Sequence, residues 1–123
     1  MSALDSVLGI CGDETPLYVV FGDFSCRLGD YIVEIDVRSP HPDVDVPQII
    51  PPEAIGEVMP FENAKQYLER FDCDGGFGHP KTYAFYVWTE KSVIFVATYD
   101  GATWLEKVPR NPCSVVPKLI GGG

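Results

Sequence analysis

Residues 83–108, YAFYVWTEKSVIFVATYDGATWLEKV, decide the fold because they predict three consecutive antiparallel strands. The segments 83–90 and 92–99 are rich in β-branched and aromatic side chains, which pack well on a pleated sheet. A short charged turn joins them. Asp100-Gly101 predicts a second tight turn, because a type I′ turn needs positive φ at both central residues. We therefore expect a three-stranded meander here.

The third strand of the meander is more polar than the first two. Residues 102–108 mix charged and apolar side chains before Pro109, which is typical of an edge strand. The first two strands are apolar on both faces, and such strands usually lie centrally or are covered on both sides. Where no helix covers the second face, Tyr86, Trp88 and Trp104 would line an exposed interface instead of a core.

The first part of the chain predicts a hairpin. Residues 17–24 are apolar on both faces, whereas residues 31–38 alternate apolar with polar side chains. The polar face of the second strand carries Glu34 and Asp36, which we expect to face water. Residues 1–16 show no strong pattern beyond a short helical turn that would end at Gly9.

A proline-rich segment and one helix separate this hairpin from the meander. Residues 39–60 hold six of the eleven prolines, so we expect an extended crossover without regular strand pairing. Its apolar residues are expected to contact the core: Val44, Val46, Ile49 and Ile50. Residues 60–72 predict the helix, because apolar side chains recur there at steps of three and four.

Together these elements predict a single α+β domain over residues 1–123. It would contain a mostly antiparallel sheet of about five strands with one helix packed on a face. We expect a flexible tail from about residue 109 onward.

Length and composition indicate in which cellular compartment the protein is expected. A chain of 123 residues with 46% hydrophobic residues is expected to fold as a globular domain. No apolar run is long enough to span a bilayer, and the N-terminus does not resemble a signal peptide. We therefore expect a cytoplasmic protein whose four cysteines are reduced thiols.

The charge distribution is the most informative functional signal. The net charge is −9, and residues 1–62 carry 12 acids but only 2 bases. Residues 63–123 carry 6 acids and 7 bases, so the whole excess lies in the first half. Direct binding to nucleic acid or to a membrane is disfavoured because both require a basic surface. A basic protein is the expected partner.

We therefore predict a small non-catalytic binding protein, without cofactor or metal, that presents carboxylates in place of phosphates. Its partner would be a basic nucleic-acid enzyme or toxin. The predicted partner-binding residues are Asp30, Glu34, Asp36, Asp43, Asp45, Glu53 and Glu57. In size and charge the chain resembles immunity proteins and phage- or plasmid-type inhibitors, although it shares no motif with them.

One alternative is a small enzyme that uses Cys73 and His79. A cysteine and a histidine are the residue types of a thiol catalyst. However, their spacing matches no structural zinc pattern, and Cys73 follows the predicted helix, where the helix dipole disfavours a thiolate. An incidental cysteine in a loop that ends the helix is the simpler interpretation.

A further alternative comes from the C-terminal glycines. The chain ends in Gly121-Gly122-Gly123. This ending resembles that of ubiquitin-like modifiers and sulfur carriers, whose β-grasp fold also runs β-β-α-β. The resemblance implies activation by adenylation of the terminal carboxylate, with Gly122 and Gly123 as the conjugation residues. It covers only the tail and a generic element order.

Overall fold

The structure, a computed structural model, describes residues 1–39, 42, 44, 46–73, 81–99 and 102–120. It contains α1 (Ala3–Cys11), β1 (Pro16–Leu28), β2 (Tyr31–Ile35), a 3₁₀ turn (Pro52–Ala54), β3 (Met59–Pro60), α2 (Phe61–Leu68), β4 (Thr82–Thr89), β5 (Ser92–Tyr99) and β6 (Ala102–Pro109). The strands form one antiparallel sheet in the order β2-β1-β4-β5-β6, with β3 beside β1. This arrangement confirms the predicted α+β class.

The meander forms as the sequence indicates. β4 pairs with β5, and β5 pairs with β6 along its whole length, from Ser92 opposite Pro109 to Tyr99 opposite Ala102. β6 lies at the edge of the sheet, as its charges and its terminal proline predict. The predicted Asp100-Gly101 turn lies outside the described residues.

β1 is longer than the predicted strand 17–24 because it pairs with two strands, β2 and β3, on the edge opposite β4. Ser25 to Leu28 extend the strand to pair with β2, while Tyr18 and Val19 pair with β3. On the other edge β1 pairs with β4, and the register shifts between Phe21 and Phe24. The shift is a β-bulge, which keeps the Phe21 and Phe24 rings on the same face despite the two residues between them.

β2 is shorter than the predicted strand 31–38. It ends at Ile35 because Asp36 starts a turn, in which the backbone NH of Ser39 donates to the carbonyl oxygen of Asp36 at 2.9 Å. The alternation of residues 31–38 places Tyr31 on the apolar face of the strand together with Ile35, but only Ile35 is buried. Tyr31 is 75% exposed at the hairpin tip.

The sequence pattern underestimated the first helix. α1 runs through Gly9, where a short turn was expected to end, and continues to Cys11. A capping box starts it, since the Ser2 hydroxyl accepts from the NH of Asp5 and the Asp5 carboxylate accepts from the NH of Ser2. Its buried stripe of Ala3, Val7 and Cys11 follows helical spacing.

α2 is the predicted helix, but it ends at Leu68 instead of at residue 72. Its predicted apolar stripe of Phe61, Ala64 and Leu68 is buried, and Phe71 remains buried beyond the helix end. The Phe21 ring meets Tyr67 and Phe71 edge to face, which fixes α2 against β1.

Both helices lie on the same face of the sheet. α1 is tied to β6 because Lys107 Nζ donates to the carbonyl oxygen of Ile10 at 3.1 Å. The strand registers place Lys107 on the same face as Ile94, Val87 and Val19. On the opposite face of the sheet, the described part of the chain places no helix.

The proline-rich segment was expected to lack regular pairing, and this expectation is partly wrong. Ile55 forms a bridge with Phe21, and β3 pairs with β1. Val46 and Ile50 are buried as predicted, so apolar anchors and short pairing hold the segment on the core. Among the described residues, no helix is both long and apolar enough to cross a membrane.

Candidate protein-binding surface

The outer edge of β1 brings the hairpin and the proline-rich segment together. β2 occupies its second half, where Ile35 lies opposite Phe24. The proline-rich segment occupies its first half, where the NH of Gly56 donates to the carbonyl oxygen of Phe21 at 2.9 Å. The residues that follow β2 and those around Ile55 therefore both lie along the edge of β1 at residues 21–24.

Four predicted partner-binding residues lie along this outer edge. We call them the acidic edge: Glu34, Asp36, Glu53 and Glu57. Glu34, Glu53 and Glu57 are exposed, and Asp36 is partly exposed. Glu34 lies on β2 opposite Ser25, while Glu53 and Glu57 lie on either side of the Ile55 bridge. Asp43 and Asp45 lie outside the described residues.

Asp36 is held by a cation of its own turn. Arg38 Nε donates to Asp36 Oδ1 at 2.9 Å, and Arg38 Nη2 donates to Oδ2 at 3.1 Å. The backbone NH of Arg38 also donates to Oδ1. These hydrogen bonds lower the pKa of Asp36, so this carboxyl stays ionised. Binding of a partner's cation at Asp36 must compete with this pair.

Asp30 lies apart from the other predicted residues. It stands at the hairpin tip, next to Gly29, whose φ of 61° requires the left-handed conformation that glycine adopts easily. Arg27 Nε donates to the Gly29 carbonyl oxygen at 2.9 Å, so this arginine is tied to the tip. At about 3.3 Å per residue, Asp30 is roughly 20 Å along the hairpin from Asp36.

Sequence reasoning missed Asp23. It occupies the β1 bulge and is partly buried. The pKa of Arg38 is raised first by its hydrogen bond to Asp36, and the charge of Asp23 contributes as well. Asp23 therefore lies near the acidic edge. The signal in the sequence was Gly22-Asp23, which interrupts the apolar run of the strand.

The acidic half also contains carboxylates that point elsewhere. Glu14 receives a hydrogen bond from Lys107 at the far end of the sheet, and Asp5 caps α1. Glu62 pairs with Lys65 one turn along α2, 3.2 Å apart. The excess of acids in residues 1–62 is therefore spread over several surfaces, and only part of it lies on the acidic edge.

The structure describes the two alternative sites, the Cys73–His79 pair and the C-terminal glycines, only in part. Cys73 is fully buried, while His79 lies outside the described residues. Within the described residues, no three histidine, cysteine, aspartate or glutamate side chains are grouped to hold a metal ion. Residues 110–120 are exposed after β6, whereas Gly122 and Gly123 lie outside the described residues.

Comparisons with protein-family models, curated proteins and solved structures find no match for this chain.

Proposed function

We propose that this chain is a small non-catalytic protein-binding module that engages a basic partner through the acidic edge. The convergence of β2 and the residues around Ile55 on one edge of β1 is the observation that supports this proposal. It brings carboxylates from two distant segments to one edge. The two arginines of the same region, Arg27 and Arg38, are both hydrogen-bonded within the hairpin.

The proposed partner is a nucleic-acid enzyme or a toxin with a basic binding groove. Carboxylates spaced along a strand edge would occupy the positions of phosphates, as expected of an inhibitor or immunity-type protein. We place the protein in the cytoplasm, which is consistent with the free thiols of Cys11, Cys26 and Cys113.

An affinity pull-down from cell extract, with the captured proteins identified by mass spectrometry, tests this proposal. The capture is performed at about 50 mM and about 500 mM salt, because surface charges are screened at the higher concentration. We expect a basic protein to be retained at low salt and released at high salt. Retention that does not change with salt, or capture of no basic protein, contradicts the proposal.

Charge-reversal variants of this chain, measured with the purified partner, then test whether the acidic edge forms the contact. The double variant Glu34→Lys and Glu57→Lys is expected to slow association about tenfold or more at low salt, since electrostatic steering accounts for factors of that size. The double variant Glu62→Lys and Glu69→Lys makes the same change of net charge at exposed positions of α2 and is the control. Equal slowing by the control would show that net charge, not the acidic edge, guides binding.

A second candidate function is a modifier or sulfur carrier activated at its C-terminal glycines. The exposure of residues 110–120, beyond the last strand, favours it because the segment before these glycines is accessible to an activating enzyme. The test is adenylation in an extract supplied with ATP, with removal of Gly122 and Gly123 as the comparison. Adenylation that requires these glycines supports this candidate, and its absence from the intact chain excludes it.

A further inference from the structure

The face of the sheet opposite the helices is apolar, and it is exposed at Tyr18, Ala84 and Tyr86. Two rows of side chains cross it from β1 to β5. The first row is Tyr18, Trp88 and Val93, and the second is Val20, Tyr86 and Phe95. We call this surface the open face. Tyr18 is 49% exposed and Tyr86 is 53% exposed, although both belong to paired strands of the sheet.

The open face offers little to a charged partner. Its six defining residues carry no charge. The second row continues onto β6 at Glu106, opposite Phe95. That carboxylate accepts a hydrogen bond from Trp104 Nε1 at 2.7 Å, so it is already engaged. A partner that covers this face must therefore be apolar as well, which distinguishes it from the basic partner of the acidic edge.

The open face contains both a cleft and projecting rings. A cleft of about 360 Å³ lies between β1, β4 and β5, with Gly22 and Ala84 among its lining residues. A Cβ placed on Gly22 would lie 3.6 Å from the Ala84 Cβ, which is van der Waals contact. These two small neighbouring residues therefore form the base of the cleft. Tyr86 borders this cleft and is half exposed, while Tyr18 projects from the neighbouring row.

We infer that the open face binds a second copy of this chain in a two-fold symmetric, face-to-face dimer. A two-fold axis brings the same patch of both copies together, so a side chain beside a depression can enter the depression of the other copy. The axis would place a tyrosine of each copy over the cleft of the other. Among the described residues, those after β6 lie beside Glu106 to Pro109 at the edge of the open face, and none of them lines the cleft at Gly22.

The available area sets an upper limit on the strength of such a contact. At about 200 Å² for an exposed aromatic side chain, the two tyrosines leave roughly 200 Å² uncovered. The partly exposed Trp88, Phe95, Trp104 and valines bring the open face to at most about 500 Å² per copy. Two copies would bury at most about 1,000 Å² in total, which is the lower limit for a specific interface. The dimer is therefore expected to be reversible.

Sedimentation velocity of the full chain over a concentration series tests the inference. At about 100 µM we expect a dimer that dissociates on dilution. Tyr86→Glu and Ala84→Glu both place a carboxylate on exposed positions of the open face, and each is expected to weaken the dimer at least about tenfold. Tyr31→Glu is the control, because Tyr31 is 75% exposed at the hairpin tip.

The salt dependence provides a second readout. Two copies that each carry a charge of −9 repel one another, so the dimer is expected to hold or tighten at about 500 mM salt. Binding of a basic partner should weaken under the same conditions, so the two proposals can fail separately. The inference is overturned if the wild type stays monomeric at both salt concentrations. It is also overturned if Tyr31→Glu weakens the dimer as much as Tyr86→Glu, or if circular dichroism shows Tyr86→Glu and Ala84→Glu folded and still dimeric.

Discussion

Lys107 Nζ on β6 lies 2.8 Å from Glu14 Oε2, which connects two residues 93 positions apart in the chain. The other carboxylate oxygen, Glu14 Oε1, accepts from the Thr89 hydroxyl at 2.6 Å. Lys107 also donates to the carbonyl oxygen of Ile10. One carboxylate therefore ties the end of α1 to the ends of β4 and β6. Its side chain is only 15% exposed.

This arrangement predicts how stability depends on pH. The hydrogen bond from Lys107, followed by those from Thr89 and Ser92, lowers the pKa of Glu14 from 4.5 to about 2. A carboxyl with a lowered folded-state pKa stabilises the fold above its unfolded pKa, and the contribution is lost as pH falls toward the folded value. We expect the urea midpoint to fall between about pH 4.5 and about pH 2 partly for this reason. Glu14→Gln should flatten the decline and lower the midpoint at neutral pH.

Glu69→Gln is the matched control, since Glu69 lies at the exposed end of α2. It makes the same chemical change and should leave the pH profile close to that of the wild type. A Glu14→Gln variant that loses stability over this pH range as steeply as the wild type would refute the assignment.

Thr89 should be important for stability although it lies at a strand end. Its hydroxyl accepts from the backbone NH of Ser92 at 2.8 Å and from that of Lys91 at 3.1 Å, while it donates to Glu14. Thr89→Val keeps the shape but leaves these buried groups without a partner, so we expect a loss of about 1–3 kcal/mol in the free energy of unfolding. Thr98→Val, on the exposed end of β5, should change it by less than about 0.5 kcal/mol. Similar losses at both positions would contradict this interpretation.

Replacement of the two serines near the N-terminus by alanine should affect the free energy of unfolding differently. Ser2→Ala removes the hydroxyl of the capping box and should cost about 0.5–2 kcal/mol of unfolding free energy. The hydroxyl of Ser6 is buried without a hydrogen-bond partner among the described residues. Ser6→Ala is therefore expected to be neutral or mildly stabilising. Thermal denaturation of the two variants makes the comparison, and a larger loss at Ser6 would show that its hydroxyl has a partner.

The cysteines should differ strongly in reactivity. Cys113 is exposed, whereas Cys11, Cys26 and Cys73 are buried. Burial raises the pKa of Cys11 and of Cys26, which disfavours the reactive thiolate. We expect a thiol reagent to label one cysteine quickly in the native protein and the other three only on unfolding. Mass spectrometry after a timed reaction identifies the sites, and rapid labelling of Cys73 would instead revive the thiol-catalyst alternative.

Part of this fold could be predicted from local patterns. The alternation and the turn residues of residues 83–108 indicated β4, β5 and β6, and helical spacing indicated α2. The length of α1 was underestimated because Gly9 suggested an early end, while the capping box and the buried stripe outweighed that one residue. Strand and helix limits differed by several residues because pairing partners, not composition, end these elements.

The candidate sites depended far more on tertiary structure. The sequence showed that carboxylates concentrate in residues 1–62, but not that Glu14 would be diverted to Lys107 or that Asp23 would lie near Arg38. Those outcomes require contacts between distant segments, and no local pattern encodes them.

By itself, then, the sequence determined an antiparallel α+β domain with an acidic first half, because periodicity, turn chemistry and charge are local properties. Only the tertiary structure decided that both helices lie on one face and leave Tyr86 and Tyr18 exposed on the other. The physical reason is that a strand with two apolar faces does not specify which face the helices cover. That choice follows from the packing of Tyr67 and Phe71 against Phe21 and from the contact of Lys107 with α1.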